Sequence, residues 1–223
     1  MRGIVSRAVR TGVSAMGDNL VPMVVLWSLA AVAVFGYYRV PAFAALLEPV
    51  ADWQRDGGWA AAFLNRVAFC GMLPGLFLVS MKVIRPSRPC LTVFAYCLWA
   101  GLWGVACDRF FTFQVYLFGE GADLLTLFRK TLFDQLVWNV LICTPANAVF
   151  FPWVEGGFRR IRPREPFIER CTILLLSNWL VWLPVMAMVY AFPLPLQIQL
   201  VGLAGAFWML VALRAAARFG EGK

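Results

Sequence analysis

The sequence predicts an all-α membrane protein in which about six transmembrane helices form a single domain over residues 1–223. Hydrophobic residues make up 61% of the chain and charged residues 14%, which leaves more apolar surface than one soluble core of 223 residues could bury. The apolar residues come in runs of membrane length, with short basic clusters between them. The lipid bilayer is therefore the first expected partner.

The charge and the cysteines exclude several function classes. The net charge of +8 comes from the basic clusters between apolar runs, so we expect no nucleic-acid partner. The chain has no histidine, and its six cysteines lack CxxC spacing, so we expect no metal and no cofactor. An enzyme is not expected either, because intramembrane catalysis without histidine would need a carboxylate pair such as Asp108 and Asp134.

The first apolar run covers about residues 20–38 and follows a start that contains Arg2, Arg7 and Arg10 but no acid before position 18. An uncleaved membrane anchor, a mitochondrial presequence and a signal peptide all fit this pattern. The apolar run continues beyond the small-residue triplet at Ala31, which favours the anchor. The next residues, 41–58, are too polar to span and have the spacing of a helix on the membrane surface.

Spans two and three, about residues 59–84 and 91–113, carry small residues at helical spacing. Small residues let two helix backbones approach closely, so we expect packing faces here. Span three ends in an adjacent acid and base, which are either interfacial charges or a pore mouth. The expected packing residues are Gly71, Gly75, Gly101 and Gly104, and the terminal pair is Asp108 and Arg109.

Span four, about residues 124–153, carries more polar side chains than the other apolar runs, and the functional prediction depends on it. In an ideal helix, residues four apart share one face, which here gives the stripe Thr131, Gln135, Asn139, Cys143 and Asn147. An Asp at the bilayer centre costs about 2.5 to 3.5 kcal/mol. We therefore expect Asp134 to pair with Lys130, one turn earlier.

Spans five and six cover about residues 171–192 and 196–213. Span five contributes one candidate interior polar residue, Asn178, and the expected packing residues Trp182 and Pro184. Span six contributes Gly202 and Trp208 as packing residues. The packing faces are also compatible with assembly into a homo-oligomer.

The basic residues predict the orientation of the six spans. They cluster before span one, between spans two and three, between spans four and five, and after span six, in the ranges 2–10, 82–88, 159–170 and 214–223. With six spans, all four clusters fall on one side, so the positive-inside rule places both termini inside. The bacterial cytoplasmic membrane is the expected location, with the mitochondrial inner membrane as the alternative.

Three short runs in the second half of the chain carry a family resemblance. DRFF from Asp108, RKTLFDQ from Arg129 and SNWLVWLP from Ser177, followed by Pro195 and Trp208, are similar in order to the Mpv-seventeen and twenty-two-kilodalton peroxisomal membrane protein family. The resemblance covers about half the chain. It implies a small multi-span protein of mitochondrial, peroxisomal or related membranes, with channel behaviour in some members. It assigns family positions to Asp108, Arg109, Lys130, Asp134, Gln135, Trp182, Pro184, Pro195 and Trp208.

The chain also departs from the family pattern. Ala187 and Tyr190 stand where the family has Gln and Asn, and Gln199 stands where it has a basic residue. The family's Gly-Asp element is not visible near Gly71 and Gly75, and the N-terminal span lies outside the pattern.

Two functions follow from these features. In the first, the polar stripe lines a water-filled path, and the protein is a channel or transporter for small polar or charged solutes. In the second, the polar faces only hold helices together in a membrane organiser or assembly factor. A stripe that lines a cavity indicates transport, and a stripe buried without water indicates packing.

Overall fold

The computed structural model describes residues 2–80, 88–159 and 166–220, and in these ranges the chain forms helices and turns without strands. Two π-helical segments, Val67–Met72 and Asp134–Cys143, join α2 to α3 and α5 to α6. The α-helices are α1 Arg2–Arg39, α2 Pro41–Arg66, α3 Leu73–Ser80, α4 Pro89–Phe118, α5 Leu124–Phe133, α6 Thr144–Glu155, α7 Phe167–Val189 and α8 Leu194–Gly220.

Three described helices are long and apolar enough to cross a membrane: Pro41–Phe77, Pro89–Phe118 and Leu124–Val154. The pair Phe167–Leu176 and Val181–Val189 makes a fourth if its bend of 56° lies within one span. The apolar parts of α1 and α8 are shorter, at Met23–Arg39 and Leu194–Phe207. The all-helical class and the membrane-length helices are thus confirmed. Six members of the basic clusters used for orientation lie outside the described residues: Lys82, Arg85, Arg160, Arg162, Arg164 and Lys223.

The expected surface helix and the second span form one bent element. At Gly58 the backbone has φ 50° and ψ −130°, a conformation that residues other than glycine rarely adopt. The helix bends at this residue. The half before Gly58 exposes Arg55, which forms ion pairs with Glu48 and Asp52. The half after Gly58 enters the bundle and continues into the first π-helical segment.

Both π-helical segments end two residues before a proline, Pro74 in the first case and Pro145 in the second. A proline has no N–H to donate to the carbonyl of residue i−4, and its ring presses on that carbonyl. A wider turn with i→i+5 hydrogen bonds relieves this contact. We therefore attribute both segments to the prolines that follow them.

Glycines set the crossing of α2 and its π-helical extension with α4. A Cβ on Gly71 would lie 2.6 Å from the Cα of Cys97 in α4. From the α4 side, Gly101 packs on the ring of Phe63, and Gly104 packs on the backbone of α2. Gly75 is looser, because a Cβ there would meet Val93 at an ordinary 3.5 Å. These contacts bring the polar residues of α2 and α4 together.

The main core lies where α7 and α8 meet α4 and α1. It includes Val181 and Val185 from α7, Tyr190 at the C-cap of α7, and Ile198 from α8. Phe110 of α4 stacks on Trp138 with ring centres 4.3 Å apart, which joins α4 to the second π-helical segment. Trp182 packs against this core, and Pro184 is half-buried inside α7. Trp208 lies in α8, with its side chain outside the described part of the chain.

Helix α5 begins at a capped end. Oδ1 of Asp123 accepts hydrogen bonds from the backbone N–H groups of Leu125 and Thr126, both at 3.1 Å. Hydrogen bonds with Thr126, and then with Leu125, hold the pKa of Asp123 below its ordinary value. The cap fixes where the fourth membrane-length helix starts.

Candidate functional site

The first buried polar cluster is a chain of amides that joins α2, α4 and α8. Nε2 of Gln54 donates to Oδ1 of Asp108 at 3.0 Å, and Nε2 of Gln199 donates to Oε1 of Gln54 at 2.6 Å. Nδ2 of Asn65 then donates to Oε1 of Gln199. The three amide residues are buried and come from distant parts of the sequence. Each link therefore ties together two helices that would otherwise meet only through apolar contacts.

The carboxylate fixes the direction of this chain. An ionised carboxylate only accepts hydrogen bonds, so Gln54 must turn its amide nitrogen toward Asp108. The same nitrogen donates to the backbone carbonyl of Gly58 at 3.0 Å, at the kink of α2. The amide oxygen of Gln54 then faces the nitrogen of Gln199, and the oxygen of Gln199 faces the nitrogen of Asn65. The chain ends on Oδ1 of Asn65. That oxygen is buried against Gly202 and has no described hydrogen-bond donor.

Arg109 lies outside this chain. Its Nε is 4.0 Å from Oδ2 of Asp108, and its side chain is largely exposed. The two expected interfacial charges therefore differ in setting, with Asp108 turned into the bundle and Arg109 turned out of it.

The second cluster follows the π-helical segment Asp134–Cys143. Nε2 of Gln135 donates to Oδ2 of Asp134 at 3.0 Å, and Nδ2 of Asn139 donates to Oε1 of Gln135 at 3.1 Å. The hydroxyl of Thr144 donates to Oδ1 of Asn139 at 3.0 Å. The last link joins residues five apart, as the wider π-helix requires. Thr144 therefore takes the place that an ideal α-helix would give to Cys143.

A tyrosine and a glutamine complete the surroundings of Asp134. The fully buried hydroxyl of Tyr190, at the C-cap of α7, interacts with the Asp134 carboxyl and accepts a hydrogen bond from Nε2 of Gln114 at 2.9 Å. Gln114 is 0% exposed, and its Oε1 has no described donor. Oγ1 of Thr131, three residues before Asp134, is also buried without a described partner. Tyr190 thus links the Asp134 carboxyl to Gln114 in one buried polar group.

The expected ion pair between Lys130 and Asp134 is wrong. Among the described residues, none of the ion pairs joins them. Both side chains are buried, but the acids that act on Lys130 are Glu120 and Asp123, ahead of α5. The backbone N–H of Asp134 still bonds to the carbonyl of Lys130, so the helix spacing is kept between them. The two side chains instead have different partners, since Lys130 responds to Glu120 and Asp123, and Asp134 to Gln135 and Tyr190.

The other residues of the predicted stripe also do not form one continuous face. Asn147 accepts a hydrogen bond from the indole of Trp99 at 3.1 Å, separately from Asn139. Asn178 in α7 is half-buried, and its side chain forms no hydrogen bond with the described residues. The neighbouring Trp179 donates instead, from its indole to the backbone carbonyl of Gln135 at 2.9 Å. The stripe is therefore two local networks, not one continuous face.

Arg66 is a half-buried charge of the bundle. The guanidinium of Arg66 in α2 donates to the sulfur atoms of Cys70 and Cys107, both at 3.6 Å. Its Nε is buried without a described acceptor. Thiols are weak acceptors, so they compensate a guanidinium poorly.

Two open grooves mark the surface near these clusters. One, of about 530 Å³, lies between α5 and α7 and has an almost entirely apolar lining that includes Thr131 and Leu183. The other, of about 700 Å³, lies along α2 and contains Asn65 and Gln199 in its lining. Asp134 is not in the lining of either groove.

No family model, curated protein or solved structure matches this chain. The resemblance to the Mpv-seventeen and twenty-two-kilodalton peroxisomal membrane protein family therefore stays a prediction.

Sequence reasoning did not assign six residues of the two clusters to a site. They share the property of being buried amide or hydroxyl side chains in or beside apolar runs: Gln54, Asn65, Gln114, Thr144, Tyr190 and Gln199. An available signal was the cost of burying such groups, since each needs a partner inside a membrane.

Proposed function

We propose that the protein is a multi-pass membrane protein that moves small solutes across the bilayer. The observation that carries this proposal is Asp134, which is 5% exposed inside a membrane-length helix and has no described basic partner. Burying a carboxyl group in a bundle is costly, and ionisable residues at such positions commonly mark ion or solute paths. A purely structural helix could use a neutral side chain at lower cost.

The backbone around the polar clusters supports the same proposal. The α2 helix kinks at Gly58, both π-helical segments lie within membrane-length helices, and α7 bends by 56°. In transporters, broken and widened helices commonly surround the binding site, because they free backbone groups and allow segments to move. We propose six spans with both termini inside, and a bacterial cytoplasmic membrane as the location.

Flux into vesicles tests the proposal. Purified protein is reconstituted in liposomes, and the uptake of radiolabelled sodium, chloride and glycerol is compared with uptake by empty liposomes. We expect faster uptake of at least one solute and a reduction of about tenfold or more by Asp134→Asn. Asp52→Asn, which neutralises an exposed acid of α2, is the matched control and should keep the wild-type rate. Uptake equal to that of empty liposomes for all three solutes would argue against transport by this chain.

The second candidate function is a membrane organiser, and the amide chain favours it. Gln54, Gln199 and Asn65 join three helices by direct hydrogen bonds, as structural polar residues in bundles do. Under this function, Gln199→Leu should lower thermal stability in detergent, and the wild-type protein should show no flux. Measurable flux that Asp134→Asn removes would decide against it.

A further inference from the structure

We infer that Asp134, Tyr190 and Gln114 form a binding site for a small monovalent cation of the size of Na⁺. The three residues come from the second π-helical segment, α7 and α4, so the site lies where three elements meet. The inference rests on the proposed transport function in one respect, namely that a bound cation would be the solute or a coupling ion. Binding itself is measured without flux, which keeps the two proposals separable.

The oxygen atoms provide the first argument. The Tyr190 hydroxyl interacts with the Asp134 carboxyl and lies 2.9 Å from the amide nitrogen of Gln114. The amide oxygen of that same Gln114 side chain is buried and has no described donor. Buried amide oxygens almost always have a partner, and an ion or ordered water is the usual explanation of an exception. Carboxylate, amide and hydroxyl oxygens are the ligands that hard cations prefer.

The local charge indicates a single positive charge on the ligand. Asp134 contributes one carboxyl, and the other oxygen groups around it are neutral. The described residues contain no cluster of three or more acidic, cysteine or histidine side chains of the kind that holds a transition metal or Ca²⁺. A monovalent cation balances one carboxylate without leaving an excess charge buried in the bundle.

The nearby basic side chains have other partners. Arg66 donates to Cys70 and Cys107, and the acids that act on Lys130 are Glu120 and Asp123. Neither base is among the groups that act on the Asp134 carboxyl, which are Gln135 and Tyr190. Asp134 therefore has no basic partner among the described ion pairs.

Thermal unfolding in detergent provides the test. The protein is melted in NaCl, LiCl, KCl and choline chloride at equal ionic strength, above pH 7. We expect Na⁺ to raise the Tm by a few degrees over choline and the rise to saturate, since a ligand that binds only the folded state stabilises it. A Tm that is the same in Na⁺, Li⁺, K⁺ and choline would overturn the inference. A rise on acidification with no response to any alkali ion would overturn it too, because the occupant would then be a proton.

Variants assign the response to these residues. Asp134→Asn should abolish the Na⁺ response. Gln114→Leu and Tyr190→Phe keep the carboxyl, and each should raise the Na⁺ concentration that gives half of the Tm rise by at least several-fold. These two variants also keep the test decisive if Asp134→Asn does not fold. Asp52→Asn is the control and should keep the full response. An unchanged Na⁺ response in both Gln114→Leu and Tyr190→Phe would overturn the site.

A gain of function adds a second line of evidence. Gln114→Glu adds a second carboxyl to the group that Tyr190 links to Asp134, and a site with two negative charges should respond to Ca²⁺, whereas we expect no Ca²⁺ response of the wild-type site. A Ca²⁺ response in Gln114→Glu supports the inference, and an unchanged preference for Na⁺ over Ca²⁺ contradicts it. Na⁺ binding without flux would remove the transport proposal alone, and flux without Na⁺ binding would remove the cation site alone.

Discussion

Replacement of Gly71 by alanine tests how closely α2 and its extension approach α4. The added Cβ would lie 2.6 Å from the Cα of Cys97 and 3.1 Å from its backbone nitrogen, so backbone has to move. Gly75→Ala is a matched control on the same chain, four residues later. Its Cβ would meet the flexible side chain of Val93 at 3.5 Å, which is an ordinary van der Waals contact.

The difference between the two variants isolates the packing cost. Replacing a glycine inside a helix by alanine stabilises the helix by about 0.5 to 1 kcal/mol, and we take this gain as common to both variants. Overpacking a closed contact costs about 1 to 3 kcal/mol. We therefore expect Gly71→Ala to be less stable than Gly75→Ala by about 1 to 3 kcal/mol.

Equilibrium unfolding in a mild detergent, followed by tryptophan fluorescence, measures this difference. The prediction also implies that Gly75→Ala is at least as stable as the wild type. Equal unfolding midpoints for Gly71→Ala and Gly75→Ala would show that the two helices do not meet at Gly71 as described.

Three further predictions concern the topology, the start of α5 and the charges in it. Single cysteines in place of the exposed Glu120 and Arg159, in a chain without its native thiols, should react with an impermeant reagent from opposite sides of the membrane; labelling from one side would refute the proposed topology. Asp123→Ala should lower the Tm at pH 7, and the difference from the wild type should vanish as the pH falls through the lowered pKa of Asp123, because a depressed carboxyl pKa stabilises only above it; a pH-independent difference would contradict this. The changes that Lys130→Met and Asp134→Leu cause in the free energy of unfolding should add in the double variant, because no ion pair joins the two residues. A coupling energy of about 1 kcal/mol or more would show that the two side chains do interact.

The sequence predicted the helical membrane class because that class depends on composition and on the length of apolar runs. It also placed glycines at helix crossings, since only small residues permit close backbone contact. The observed roles of Gly71, Gly101 and Gly104 follow from this one rule. The rule could not rank Gly71 above Gly75, because the ranking depends on which residue of α4 each one faces.

The polar stripe was drawn with α-helical spacing, and that assumption fails where the helix widens. Pro145 was visible in the sequence, but its effect on the ten preceding residues depends on how the bundle accommodates a wider turn. With i→i+5 geometry, Thr144 joins Asn139 in place of Cys143. The missing pair between Lys130 and Asp134 has another cause, because the helix between them keeps its α-helical hydrogen bond and their side chains have different partners. A proline at the end of an apolar run that carries polar residues is thus a reason to test both spacings before a polar face is drawn.

The residues that complete both clusters belong to helix α4, and this links the two clusters physically. Asp108 anchors the amide chain to α2 and α8, and Gln114, six residues later, holds Tyr190 of α7. Six residues are not a whole number of α-helical turns, so the two side chains point to different neighbours from one rigid element. A displacement of α4 that changes the contacts of Gln114 must therefore also move Asp108. We therefore expect a cation bound at Asp134 and the packing of α2 against α8 to influence each other through α4.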